Sequence, residues 1–161
     1  MKFKEHPMEV EAFSVGRAAM VHKVDGHTIT TDEPSSRGGT DIGPPPFNLH
    51  FATLAGCMHA TMSLILADRN MVFDEVRIHL STKLDPRGVF GMARNVRPIS
   101  KIHKTVTIRS NATAEQIADI REQLEWRCMV SQLLLLAGVE MTEEWHLNGT
   151  EVASVIDAVA V

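Results

Sequence analysis

Two cysteines, Cys57 and Cys128, are the residues best suited to covalent chemistry in this sequence, and they lie 71 residues apart. At 100° per residue on a helix, Thr53 and Thr61 fall one turn either side of Cys57, and His50 lies within about 20° of the same face. A hydroxyl-lined stripe around a thiol is compatible with a small water-accessible site. A cysteine set among Leu54, Ala55, Gly56 and Met58 is equally compatible with a small core hydrophobe. Cys128 sits where one helical pattern ends and another begins. A thiol at a helix N-terminus is favoured as thiolate by unpaired N–H groups, but the boundary decides whether it holds that position. Sequence separation by itself says nothing about whether the two sulfurs meet.

Other chemistries find less support. Eight histidines (His6, His22, His27, His50, His59, His79, His103 and His146) contain no HExxH, and no CxxC accompanies them, so no metal is expected. His59 lies about 200° around the helix from Cys57. A Cys57–His50 hydrolase needs the imidazole beside the sulfur, yet seven helical residues separate them by about 10.5 Å. Sixteen Lys and Arg against twenty Asp and Glu give a charge of −4, with the cations scattered, which argues against a nucleic-acid partner. Two cysteines are too few for a disulfide scaffold, and the N-terminal MKFKEHP lacks the apolar run of a secretory signal, so a cytoplasmic location is expected. Asn148-Gly149-Thr150 matches the glycosylation sequon, which in that compartment is chance.

No charged residue occurs between Asp41 and Asp68, a stretch long enough to span a bilayer. It opens with Gly43-Pro44-Pro45-Pro46, carries Asn48, His50 and His59, and lacks flanking basic clusters. A helix over about residues 47–70, buried nearly all round in a globular core, is the better reading. Proline costs nothing in its first turn. Residues 8–15 and 17–24 read as strands broken at Gly16, and Asp25-Gly26 is a hairpin signal leading into residues 27–31. Residues 32–43 form a turn-rich loop. Residues 74–84 alternate Val76, Ile78, Leu80 and Thr82 against polar neighbours, residues 99–108 suggest another strand, and residues 86–98 connect the two. Thr113-Ala-Glu-Gln116 is a capping box, opening a helix with Ile117, Ile120, Leu124 and Cys128 on one face. Residues 130–137 continue as helix to Gly138, and residues 139–147 make a last strand. The order predicts an α+β fold in one domain, residues 1–161, with an antiparallel sheet covering a helical core. A 24-residue helix spans about 36 Å, more than so small a sheet can wrap, which points to a twofold dimer.

The run from Arg37 through Gly38-Gly39-Thr40-Asp41-Ile42-Gly43 and Pro44-Pro45-Pro46 to Ala55-Gly56-Cys57 resembles the signature of the OsmC/Ohr superfamily of thiol peroxidases. Residues 27–34 are similar to the family's approach to that loop, and Arg127-Cys128-Met129-Val130-Ser131 resembles the segment bearing its second cysteine. The match runs over about residues 15–141. The resemblance implies an OsmC-like fold, an antiparallel sheet wrapped around a long buried central helix in an intertwined homodimer. It also implies a stress-response peroxidase reducing organic hydroperoxides without a cofactor. Cys57 would become a sulfenic acid, Cys128 would condense with it to a disulfide, and a lipoyl-type dithiol or a small thiol would restore the pair. Arg17, with Arg37 behind it, is the counterpart of the arginine that steadies the thiolate. Asn48, Thr53 and Thr61 are the expected polar contacts to substrate. Asn48 stands where the peroxidases commonly carry a carboxylate, and Met129 where they commonly carry proline. The first departure leaves open a catalytically weak protein that binds a small apolar ligand or senses redox state.

Overall fold

The computed structural model describes residues 4–69 and 71–152; the Ala/Val-rich end of the chain, residues 153–161, lies outside them. By its contacts the chain divides into two units, Met1–Ala52 and Thr53–Val161.

In the first unit, β1 (Glu11–Ser14), β2 (Met20–Val24) and β3 (His27–Thr31) form an antiparallel sheet in sequence order. The strands are shorter than the sequence pattern implies, and the break spans residues 15–19 instead of Gly16 alone. The β2–β3 turn has positive φ at both Asp25 (46°) and Gly26 (79°), which matches the strands' right-handed twist. After β3 the chain enters the expected loop, which contains a short 3-10 turn at Ser35–Arg37. Its centre is Asp32, fully buried, whose carboxylate accepts from the backbone N–H groups of Glu33 (2.8 Å) and Thr40 (2.8 Å) and from the Thr40 hydroxyl (2.7 Å). A Cβ on Gly39 would sit 1.8 Å from the Glu33 carbonyl oxygen, so only glycine lets the loop close on itself there. Asp32 N–H donates to the Pro44 carbonyl (3.2 Å), tying the loop to the proline run that starts α1 (Pro46–Ala67).

In the second unit, β4 (Phe73–Thr82), β5 (Lys101–Ser110), β6 (Glu140–Leu147) and β7 (Thr150–Glu151) form a sheet in that order. Val76, Ile78, Leu80 and Thr82 turn to the more protected face, as their alternation predicts. The expectation of an antiparallel sheet is corrected here, because β5 and β6 pair in parallel, Lys101 with Glu140 through Ile108 with Leu147. Two helices, α2 (Ala114–Arg127) and α3 (Met129–Leu136), carry the chain back between them, and such a crossover is what a parallel pair requires. Thr113 and Gln116 form the capping box of α2, and Ile117, Ile120, Leu124 and Cys128 are all buried. Gly138 ends α3 with φ of 77°. The strand β7 was not legible as such; Asn148-Gly149, read only as a sequon, is a two-residue hairpin turn with φ of 51° and 86°.

The helix α1 departs from the expectation of burial all round. Leu54, Met58, Thr61, Met62, Ile65 and Leu66 are buried, whereas Thr53, Gly56, His59, Ala60, Ser63, Leu64 and Ala67 are exposed. Its apolar residues encircle the helix, but one chain covers only one side.

Candidate active site

The helix α1 brings Cys57 to a half-buried position on its flank. Cys128 arrives from the other direction. It is the single extended residue (φ −77°, ψ 107°) between α2 and α3, closing the first through its N–H to the Leu124 carbonyl (3.1 Å) and opening the second by accepting from Gln132 N–H (2.9 Å). That settles the boundary the sequence left open: Cys128 is the N-cap of α3. The two sulfurs lie 3.3 Å apart, the Cys128 thiol donating to Cys57 Sγ, and both cysteines are free. A disulfide bond of about 2.05 Å therefore needs little more than 1 Å of closure.

The pair is asymmetric. Cys128 has no solvent exposure, and burial pushes its thiol up from the ordinary range. The hydroxyl and backbone N–H of the buried Ser131 pull in the other direction, while the neighbouring Cys57 sulfur adds to the rise. At neutral pH Cys128 is thus the protonated partner, which is what donating to Cys57 requires.

Ion pairs hold this junction in place. Arg69, just beyond α1, pairs with Asp119 of α2, and Arg127 Nη2 lies 3.9 Å from Asp68 Oδ2. On the sheet side, Glu143 of β6 receives Lys104 Nζ of β5 at 2.5 Å and the Arg121 guanidinium of α2. All three side chains are largely buried. Burial pushes the Glu143 carboxyl upward, but Lys104 and Arg121 more than offset it and hold the group below its usual range. Neither Glu143 nor its partners stood out in the sequence, since the three come from separate elements.

Thr53 and Thr61 flank Cys57 one turn away on α1, the first exposed and the second buried. Asn48 is exposed near the start of α1, whose first turn carries no acidic residue. Arg17 belongs to the first unit, where its guanidinium lies against Gly38; a Cβ there would be 3.4 Å from Arg17 Nη1. Asp32, which lies within residues 27–34 and is not among the residues expected at the site, is the carboxylate that organises the loop. Its signal was an aspartate opening a Gly-Gly turn. Among the described residues, no group of three or more His, Cys, Asp and Glu side chains is arranged to hold a metal ion.

None of the curated proteins matches the chain. Among solved structures, an OsmC-like protein from Mycoplasma pneumoniae is similar in fold, with a TM-score of 0.75 and 16% identity over 89% of this chain and 99% of that one. An organic hydroperoxide resistance protein from Elizabethkingia anophelis gives 0.65 and 15% over 90% and 99%, and one from Legionella pneumophila 0.61 and 12% over 89% and 99%. At these identities the likeness speaks for the fold. The family model of OsmC-like proteins matches residues 38–144, a span that holds the second half of the loop, α1, both sulfurs and most of the second sheet, and on that match the chain belongs to the OsmC-like protein family.

Proposed function

We propose that this protein is a thiol-dependent peroxidase that reduces organic hydroperoxides. The observation that carries the reading is the pair of free sulfurs 3.3 Å apart, one reachable from solvent and the other enclosed. The Cys57 thiolate attacks the outer peroxide oxygen, the O–O bond breaks, and the alkoxide leaves and takes a proton as the alcohol. The Cys57 sulfenic acid then condenses with the Cys128 thiol, forming the disulfide and releasing water. A dithiol of lipoyl type, or a small thiol, reduces the disulfide by exchange and is itself oxidised. Arg17 is assigned the cation's role by resemblance, and Asn48, Thr53 and Thr61 the polar contacts to substrate. We place the enzyme in the cytosol, where two unpaired thiols persist. The working form is a homodimer, supported by the uncovered side of α1 and by Met129, Leu133 and Leu136, which lie 66–83% exposed along α3. Stopped-flow mixing of reduced protein with cumene hydroperoxide tests the reading: fast loss of two thiols and a Cys57–Cys128 disulfide by mass spectrometry are expected. Persistence of both thiols overturns it.

Asn48 at the carboxylate position favours a second reading, a catalytically weak protein that senses redox state or binds a small apolar ligand. On that reading peroxide consumption is slow in the wild type and rises in Asn48→Glu.

A further inference from the structure

The burial difference between the sulfurs also fixes a direction for the reductive half of the cycle, and this inference rests on reading them as a redox pair. Thiol–disulfide exchange proceeds in line, the incoming thiolate approaching one sulfur from the side opposite the departing one. Cys57 is half-buried and keeps part of its surface in solvent, whereas Cys128 has none. The sulfur that departs must leave with an electron pair. An apolar enclosure is a poor place to receive it unless donors are waiting. Cys128 is the N-cap of the eight-residue α3, so charge appears at the end of a helix whose first-turn N–H groups have no partner within the helix. Ser131, the third residue of α3 and so one turn from the Cys128 cap, is 3% exposed, and its hydroxyl and N–H favour the charged form of the Cys128 sulfur.

We propose that the reductant attacks Cys57, that Cys128 departs as the thiolate, and that Ser131 is the positioning residue that receives it at the start of α3. In the first exchange the reductant thiolate bonds to Cys57 Sγ, the Cys57–Cys128 bond breaks, and Cys128 takes the electron pair and later a proton. The second thiol of the reductant, as thiolate, then displaces Cys57 from the mixed disulfide. The reductant leaves as its own disulfide and both cysteines are reduced.

Diamide makes the protein disulfide without any peroxide, so the test is independent of peroxidase activity. The oxidised protein is treated briefly with N-acetylcysteine, quenched in acid and mapped by mass spectrometry; the adduct is expected on Cys57. Reduction by dithiothreitol is then timed in wild type, Ser131→Ala and Ser131→Thr. A slowing of about 3- to 10-fold is expected in Ser131→Ala, with recovery in Ser131→Thr, which keeps the hydroxyl. Adducts on Cys128, or equal rates in wild type and Ser131→Ala, overturn the inference. Should Ser131→Ala not fold, the adduct position in the wild type and the rate of Ser131→Val against Ser131→Thr, which has a hydroxyl where valine has a methyl, decide it: a slower Ser131→Val supports the inference and equal rates overturn it. No disulfide with diamide overturns both this inference and the peroxidase; a disulfide with diamide but none with peroxide removes only the latter.

Discussion

The two cysteines are delivered by regions built on opposite plans. Residues 32–57 form one continuous device in which a turn organised by a single aspartate leads through three prolines into an uncharged helix, with every donor to Asp32 coming from residues 33–42. The region around Cys128 is assembled from separated pieces. Its charged anchor, Glu143, reaches back to Lys104 and Arg121, and its helix is tied to Asp68 and Arg69 beyond the end of α1. Each region contains a buried carboxylate held ionised, one by neutral dipoles nearby in sequence and the other by two cations from elsewhere. The local plan leaves its sulfur partly open, and the assembled plan encloses its sulfur completely.

The sharpest way to break the comparison is to remove the open sulfur. Cys57→Ser is expected to lower peroxide turnover by about three orders of magnitude, the scale on which deleting a nucleophile acts, with thermal stability little changed. Activity at wild-type level in that variant refutes a division of labour between the two regions. Next in size is the anchor of the assembled region. Glu143→Gln leaves Lys104 and Arg121 facing a neutral amide in a site where the Lys104 side chain is 7% exposed. A loss of about 3 kcal/mol is expected in denaturant unfolding, as when one member of a buried ion pair is removed. An unchanged midpoint means the network does not anchor α2.

The difference in plan also explains what could be read from the residues alone. The Gly-Gly loop, the proline-led start of α1 and the Thr113–Gln116 cap each complete their hydrogen bonds within about ten residues, so the sequence pattern carries them. The parallel pairing of β5 with β6 depends on where α2 and α3 deposit the chain, and no alternation pattern encodes it. Likewise, nothing local to Glu143 announces Lys104 or Arg121. The encirclement of α1 by apolar residues was legible, but how much of it a single chain covers is a property of packing. Cys57 and Cys128 were legible as individual candidates, yet their 3.3 Å approach depends on three helices and the ion pairs between them.

A smaller effect separates the roles of the two sulfurs. Cys128→Ser keeps Cys57 and removes its condensation partner, so the first equivalent of peroxide is expected to be reduced while the sulfenic acid accumulates. Dimedone should trap it at Cys57, and steady-state turnover with a dithiol should fall about tenfold. Full turnover without a trapped intermediate would mean that a small thiol resolves Cys57 directly and that the enclosed sulfur is dispensable.

The mildest test concerns how each plan holds its charge against acid. The Thr40 hydroxyl, with the backbone N–H groups of Thr40, Glu33 and Ile42, outweighs the cost of burial and lowers the Asp32 carboxyl from 3.8 to about 2. A carboxylate lowered on folding contributes stability above its unfolded value and loses that contribution as pH falls through the folded one. The loop's share should therefore be intact at pH 5 and disappear between about 4 and 2. Glu143 follows the same sign, but protonating it also strands two buried cations, so its loss should disrupt the second unit cooperatively, where that of Asp32 loosens only the loop. The amide proton of Thr40, followed by NMR, should titrate near 2 in the wild type and show no such step in Asp32→Asn. A Thr40 amide that titrates at the ordinary aspartate value indicates that the dipoles do not hold the charge, and the contrast between a dipole-held and a cation-held carboxylate then fails at its local end.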